Sequence, residues 1–138
     1  MREFLTSSET ETQAVGELLA AECKEGDFLA MYGEMGSGKT VFMRGFVGKL
    51  VPNALVSSPT YAILNVYEGD TVSVNHFDMY RITSEDDLYS TGYEEVILHG
   101  ITVCEWTENI EDFLPEHYIR IVFNKIGENE RLITVERV

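Results

Sequence analysis

The segment Gly33-Glu34-Met35-Gly36-Ser37-Gly38-Lys39-Thr40 satisfies G-x-x-x-x-G-K-[ST] at every fixed position, and it constrains the fold more than any other stretch of the chain. The pattern works as chemistry only between a buried strand and the start of a helix. Glycines let successive backbone N–H groups turn inward around phosphate oxygens, and a helix opening after them contributes the positive end of its dipole. Lys39 then reaches the β and γ phosphates, and Thr40 offers its hydroxyl to Mg²⁺. The flanking residues supply the required context. Phe28-Leu29-Ala30-Met31-Tyr32 is a short apolar run bounded by Gly26-Asp27 and Gly33, which suits a strand buried on both faces. Val41, Phe42, Phe46, Val47 and Leu50 continue at helical spacing. A glycine-rich turn with no ligand is the plain structural reading of the same residues. The context favours a phosphate cradle from Gly33 to Thr40, with Val41 in the first turn behind it.

The remaining punctuation predicts an α/β fold. Ser8-Glu9-Thr10-Glu11 has the spacing of a capping box, and a helix of about Glu9 to Cys23 follows it up to Lys24-Glu25-Gly26. The helix after the glycine-rich segment should open near Gly38 and run to about Leu50. Two β-rich runs, Tyr61 to Tyr67 and Thr71 to Phe77, flank Glu68-Gly69-Asp70 as a hairpin. Ser84 to Leu98 reads as one or two short helices, and Ile101 to Glu105 as a buried strand ahead of a polar helix-like stretch, Thr107 to Phe113. Tyr118 to Ile126 and Arg131 to Val138 form a second hairpin around Gly127-Glu128-Asn129. At 138 residues the chain fits one domain, a P-loop NTPase-like unit with a mixed central sheet flanked by helices.

Charge narrows the function. Ten Lys and Arg stand against 24 Asp and Glu, a formal net charge of −14. Binding to a nucleic-acid backbone depends on Lys and Arg displacing counterions, so direct contact with nucleic acid is not expected. Yet Lys39, Arg44 and Lys49 fall in or just after the glycine-rich segment, where an anionic ligand needs them. The longest apolar stretches are about five residues against the roughly 20 that span a bilayer, and the N-terminus lacks the features of a secretory signal. The expectation is a cytoplasmic protein with no membrane association. In that reducing setting Cys23 and Cys104 read as apolar packing residues rather than a disulfide.

Mg²⁺ at such a loop usually takes another oxygen from a carboxylate at the end of a neighbouring strand. Glu105 ends one buried run, and Asp78 follows Val72-Ser73-Val74-Asn75-His76-Phe77. Either residue alone reads as a solvated strand-end acid; beside a phosphate loop they become a metal and water-positioning pair. His76 reads as hydrogen-bonded structure, since nothing near it in sequence completes a metal set or a triad.

These motifs together resemble the TsaE (YjeE) family, the ATPase of bacterial tRNA threonylcarbamoyladenosine synthesis. The resemblance runs through the phosphate loop with Phe42-Met43-Arg44-Gly45, then Ser58-Pro59-Thr60-Tyr61, then His76-Phe77-Asp78-Met79-Tyr80-Arg81, then Glu105-Trp106. It covers about Tyr32 to Trp106, and the His-Phe-Asp-x-Tyr-Arg run and the Glu-Trp pair are its most distinctive parts. It implies ATP and ADP as ligands, Mg²⁺ held by Thr40 and Glu105, Asp78 acting near the γ-phosphate and Thr60 on a switch-like segment. It also implies Trp106 beside the nucleotide and Arg131 approaching it from the last hairpin. On residue type alone Trp106 reads as core packing and Arg131 equally as a solvated hairpin charge. The family's adenine lies near the start of the first helix, where no motif in Ser8 to Thr12 assigns a residue. Glu34 departs from the more usual Asp, at a position whose side chain points away from the phosphates.

The implied partners are the threonylcarbamoyl-transferase subunit and its inactive paralogue, with tRNA reached only through them. Two other classes stay open. A small-molecule kinase needs an arginine-bearing lid, and only Arg81 and Arg120 lie between Arg44 and Arg131. A GTPase is disfavoured because Gly127 stands where Asn124-Lys125-Ile126-Gly127 would need a carboxylate to read guanine. A module that binds ATP without turning it over is the non-enzyme alternative, and Asp78 is the residue that separates the two.

Overall fold

The computed structural model describes residues 1–56 and 63–138. One seven-stranded sheet organises them. In chain order the elements are β1 (Arg2–Thr6), α1 (Glu9–Glu22), β2 (Phe28–Tyr32), α2 (Lys39–Leu50), β3 (Leu64–Glu68), β4 (Ser73–Asp78), α3 (Glu85–Tyr89), α4 (Tyr93–Val96), β5 (Ile101–Glu105), a 3₁₀ segment (Thr107–Phe113), β6 (Ile119–Lys125) and β7 (Arg131–Arg137). The order across the sheet is β1-β7-β6-β2-β5-β4-β3. Strands β4, β5, β2 and β6 run parallel at its centre. The hairpins β3–β4 and β6–β7 add antiparallel strands towards the two edges. This is the mixed, helix-flanked α/β sheet that the sequence predicts.

Period-two alternation sorts each central strand between two cores. Leu29, Met31, Val74, Ile101 and Val103 face α1 and α2, where they meet Leu19, Phe42, Phe46 and Val47. Phe28, Ala30, Phe77 and Cys104 face the opposite side, against Leu88, Tyr93 and Ile110. Strands covered on both faces read as continuous apolar runs, which is why β2 and β5 were legible.

Several expectations are corrected. Arg2–Thr6, to which the sequence pattern assigns no element, is a strand paired antiparallel with β7 from Arg2 opposite Val135 to Thr6 opposite Arg131. Its sequence lacks a clear apolar alternation, and besides the ladder only Phe4, against the core, and buried Thr6, bonded to Thr12, anchor its inner face. Helix α1 ends one residue earlier than expected, with the Cys23 N–H capping it on Ala20 and Leu19 carbonyls. Among the described residues the first strand of the first hairpin runs Leu64–Glu68 and the second Ser73–Asp78, while residues 61 and 62 of the expected run lie outside the described range. Thr107–Phe113 is a 3₁₀ segment interrupted by non-helical backbone at Ile110. Cys104 is fully buried and Cys23 partly so, both as free thiols, and burial pushes the Cys23 thiol up to about 12.

Candidate active site

The carboxyl ends of β4 and β5 and the amino end of α2 converge on a cavity of about 720 Å³. This is where open α/β sheets place their ligands. Met35, Gly36, Gly38, Lys39, Thr40 and Val41 line one wall, and Asp78, Glu105 and Trp106 the other.

The loop turns because Gly36 and Gly38 adopt φ of +79° and +104°, conformations in which L side chains are strained. Gly38 is the N-cap of α2, and having no side chain it gives the helix's first N–H groups no side-chain cap. Backbone N–H groups at such a helix start suit an anion. The Lys39 ammonium donates to the Gly33 carbonyl at 2.6 Å and lies 5.9 Å from the Trp106 ring centroid. It therefore sits folded over its own loop. Ser37 is buried, with an Oγ that finds no partner among the described residues. Gly33, Glu34 and Ser37 do not line the cavity, and Glu34 is exposed to solvent.

Register brings the two carboxylates together. Asp78 of β4 stands opposite Glu105 of β5 in the parallel ladder. Glu105 is only 6% exposed, and its Oε2 lies 2.6 Å from His76 Nε2. It is not the solvated strand-end acid that residue type alone suggests. Asp78 Oδ1 accepts from the Tyr80 N–H at 2.9 Å. Burial raises the Asp78 pKa above the usual carboxylate value; the Tyr80 bond opposes the shift, and the neighbouring Glu105 charge adds to it.

That shift predicts a stability effect. A carboxyl whose folded pKa is raised contributes its stability below its unfolded pKa and loses it as pH rises through the folded value. Above the carboxylate range, ionised Asp78 is thus a local burden. Asp78→Asn keeps an acceptor for the Tyr80 amide without the charge. Its thermal midpoint should exceed that of the unsubstituted protein near neutral pH, with the gap closing in acid. A gap that stays constant through the acid range contradicts this account.

Trp106 corrects its residue-type reading. It is 37% exposed, adopts φ 57°, ψ 41°, and packs its ring on Tyr80 at 4.8 Å between centroids, at the cavity rather than in the core. The left-handed turn after β5 swings the side chain out of the sheet. Arg131 is likewise no free hairpin charge. Its guanidinium donates to the Gly127, Glu128 and Glu130 carbonyls and, at 3.2 Å, to the Gly36 carbonyl. It ties the last hairpin to the phosphate loop, and its Nε is buried without a partner among the described residues. Thr60 and the rest of Ser58-Pro59-Thr60-Tyr61 lie outside the described residues.

The donors fit Mg-nucleotide. Thr40 and Glu105 offer oxygen alone, as Mg²⁺ prefers, and Mg²⁺ is commonly held by one or two protein oxygens beside substrate phosphates. The start of α2, the Lys39 ammonium beside it and the partnerless Arg131 Nε at the cavity are the groups an oxyanion would suit.

The profile of the family described as "Threonylcarbamoyl adenosine biosynthesis protein TsaE" matches residues 6–133. The chain belongs to the TsaE family. The tRNA threonylcarbamoyladenosine biosynthesis protein TsaE of Bacillus subtilis (strain 168) is 38% identical over 135 residues, which cover 96% of this chain and 84% of that one. The protein of the same description from Aquifex aeolicus (strain VF5) is 31% identical, covering 99% and 97%. The crystal structure of Bacillus subtilis YdiB superposes with a TM-score of 0.76 at 32% identity, covering 97% of this chain and 83% of that one. The P-loop NTPase-like fold is thereby that of a solved TsaE-family relative, and the family is one of tRNA threonylcarbamoyladenosine biosynthesis.

Sequence reasoning missed part of this TsaE-family cavity. Ser8, Glu9 and Thr12 from the start of α1 line it, as do Ile63, Tyr80, Arg81 and Asn129. Thr12 is held by a 2.7 Å hydroxyl contact with Thr6, and Ser8 caps α1 through the Glu11 N–H. The capping box was visible; that it doubles as cavity wall depends on α1 packing beside α2, which brings Thr12 next to Gly38. No helix among the described residues is long and apolar enough to cross a membrane.

Proposed function

We propose that this chain binds Mg-ATP and hydrolyses it to support a partner complex in tRNA threonylcarbamoyladenosine modification. One observation carries the reading: the uncapped start of α2, with Lys39 and Thr40, faces Asp78 and Glu105 across one cavity. Loop amides and the Lys39 ammonium bind and orient the phosphates, while Thr40 and Glu105 hold the metal. Mg²⁺, when bound, neutralises charge on the β and γ phosphate oxygens. Asp78 has one oxygen fixed by the Tyr80 amide, which leaves Oδ2 to orient the attacking water and take its proton. Its raised pKa suits a base better than that of an exposed carboxylate. Thr60 belongs to the switch-like segment of this scheme, Trp106 lies against the nucleotide, and Arg131 approaches it. Adenine lies towards Ser8, Glu9 and Thr12.

The partners are the threonylcarbamoyl-transferase subunit and its inactive paralogue, in the cytoplasm. A net charge of −14 leaves the tRNA contact to them. Among the described residues few cations face the cavity, so turnover by the isolated chain should be weak and rise when the partner subunits are added. Asp78→Ala should lower hydrolysis by the assembled complex about a hundredfold while Mg-ADP still binds, the range of a lost general base. Undiminished hydrolysis leaves a non-hydrolysing binding module; rapid turnover by the chain alone counts against the partner-driven scheme.

A further inference from the structure

We propose that His76 is a positioning residue for the divalent cation, acting through Glu105. This rests on the assignment of Glu105 as a magnesium ligand under the proposed function.

The sequence alone makes His76 a structural strand residue, and its surroundings give it a more specific task. It is 1% exposed, on the same face of β4 as Asp78, two residues along. In the parallel ladder Val103 is its direct neighbour, and Glu105 stands one step further on, beside Asp78. The imidazole reaches diagonally to Glu105, with 2.6 Å between Nε2 and Oε2. A carboxylate accepts only, so Nε2 carries the proton of this bond. The Tyr67 ring of β3 lies beside the imidazole, with 6.4 Å between centroids and 30° between planes.

The Glu105 carboxylate accepts no other hydrogen bond among the described residues, while the residue contributes to the cavity wall. One carboxylate oxygen is thus committed to the imidazole, and Oε1 is the oxygen left for a ligand. A glutamate has three rotatable side-chain bonds, and fixing them costs free energy that the buried bond to His76 has already met before any metal arrives. Removing an outer hydrogen-bond partner of a metal ligand typically costs 10- to 100-fold in metal affinity. A purely structural histidine, by contrast, would alter folding stability and leave metal coupling alone.

The test is ADP binding by calorimetry on the full chain, with Mg²⁺ and with chelator, for the unsubstituted protein, His76→Leu and His76→Gln. The quantity read is the ratio of the two affinities. His76→Leu should shrink that ratio at least about tenfold while binding metal-free ADP as before. His76→Gln should retain most of it, because a glutamine amide N–H can stand where Nε2 does. Should the leucine variant fail to fold, His76→Asn takes its place, polar but too short to reach Oε2. Mn²⁺ titration followed by electron paramagnetic resonance gives the same comparison without any turnover. A leucine or asparagine variant with an undiminished ratio overturns the positioning role alone. No effect of Mg²⁺ on the unsubstituted protein overturns the assignment of Glu105 as well.

Discussion

Lys39→Ala should abolish the response of Trp106 fluorescence to Mg-ADP at concentrations that saturate the unsubstituted protein. Trp106 is the sole tryptophan, partly exposed at the cavity, and within 5.9 Å of the Lys39 ammonium, so it reports on that spot directly. Hydrogen bonds from a charged group are worth about 1.5–3 kcal/mol each, which makes the loss of one about a 10- to 150-fold weakening. On the proposed reading the ammonium would meet the β phosphate of ADP, the γ phosphate being absent from this probe, so a weakening of at least about tenfold is expected. The competing effect is smaller. Without phosphate, Lys39 bonds the Gly33 carbonyl, and losing that contact at a partly exposed site costs about 1 kcal/mol of stability. A variant that stays folded by circular dichroism but no longer binds is therefore the expected outcome. Unchanged affinity would remove the basis for calling this loop a phosphate cradle.

Gly45→Ala should produce the largest loss of stability among conservative changes outside the cavity. A Cβ on Gly45 would fall inside contact distance of the Gln13 carbonyl oxygen and 2.8 Å from the Gln13 carbonyl carbon. Gly16 is its counterpart on α1, where a Cβ would run into the Phe42 carbonyl and lie 2.9 Å from the Phe46 nitrogen. Both clashes involve backbone, so no rotamer change relieves them. Alanine gains up to about 1 kcal/mol over glycine within a helix. Overpacking costs about 1–3 kcal/mol or more, and the clash wins because α1 must move bodily. Gly48→Ala, on the same helix with nothing within 4 Å, isolates the propensity term and should raise the thermal midpoint. Opposite signs for the two alanines are the expected result, read by thermal melting. Because Ser8, Glu9 and Thr12 of α1 line the cavity, Gly45→Ala should also weaken nucleotide binding.

How far the site could be read depended on the range of the interaction concerned. The phosphate loop is local: eight consecutive residues carry the glycines, the ammonium and the hydroxyl, and a buried strand before it and a helix after it are visible as apolar patterns. Strands β2 and β5 were legible for the same reason. The edge strand Arg2–Thr6 was not, because its order comes from hydrogen bonds to β7, more than 120 residues away along the chain. Trp106 was misjudged on residue type, since burial tendency knows nothing of a left-handed turn at φ 57°. Arg131 was undecided until its bond to the Gly36 carbonyl joined hairpin and loop.

The amino-acid order alone determined that a triphosphate-type loop sits between a buried strand and a helix, that the sheet is mixed, and that two strand-end carboxylates follow it. Glycine conformation, apolar periodicity and charge are properties of neighbouring residues, and they survive without a fold. Only the tertiary structure decided that Asp78 and Glu105 are side by side, that His76 bonds one of them, and that the start of α1 lines the cavity. Those relations depend on strand order and register, which arise when distant segments compete for one sheet.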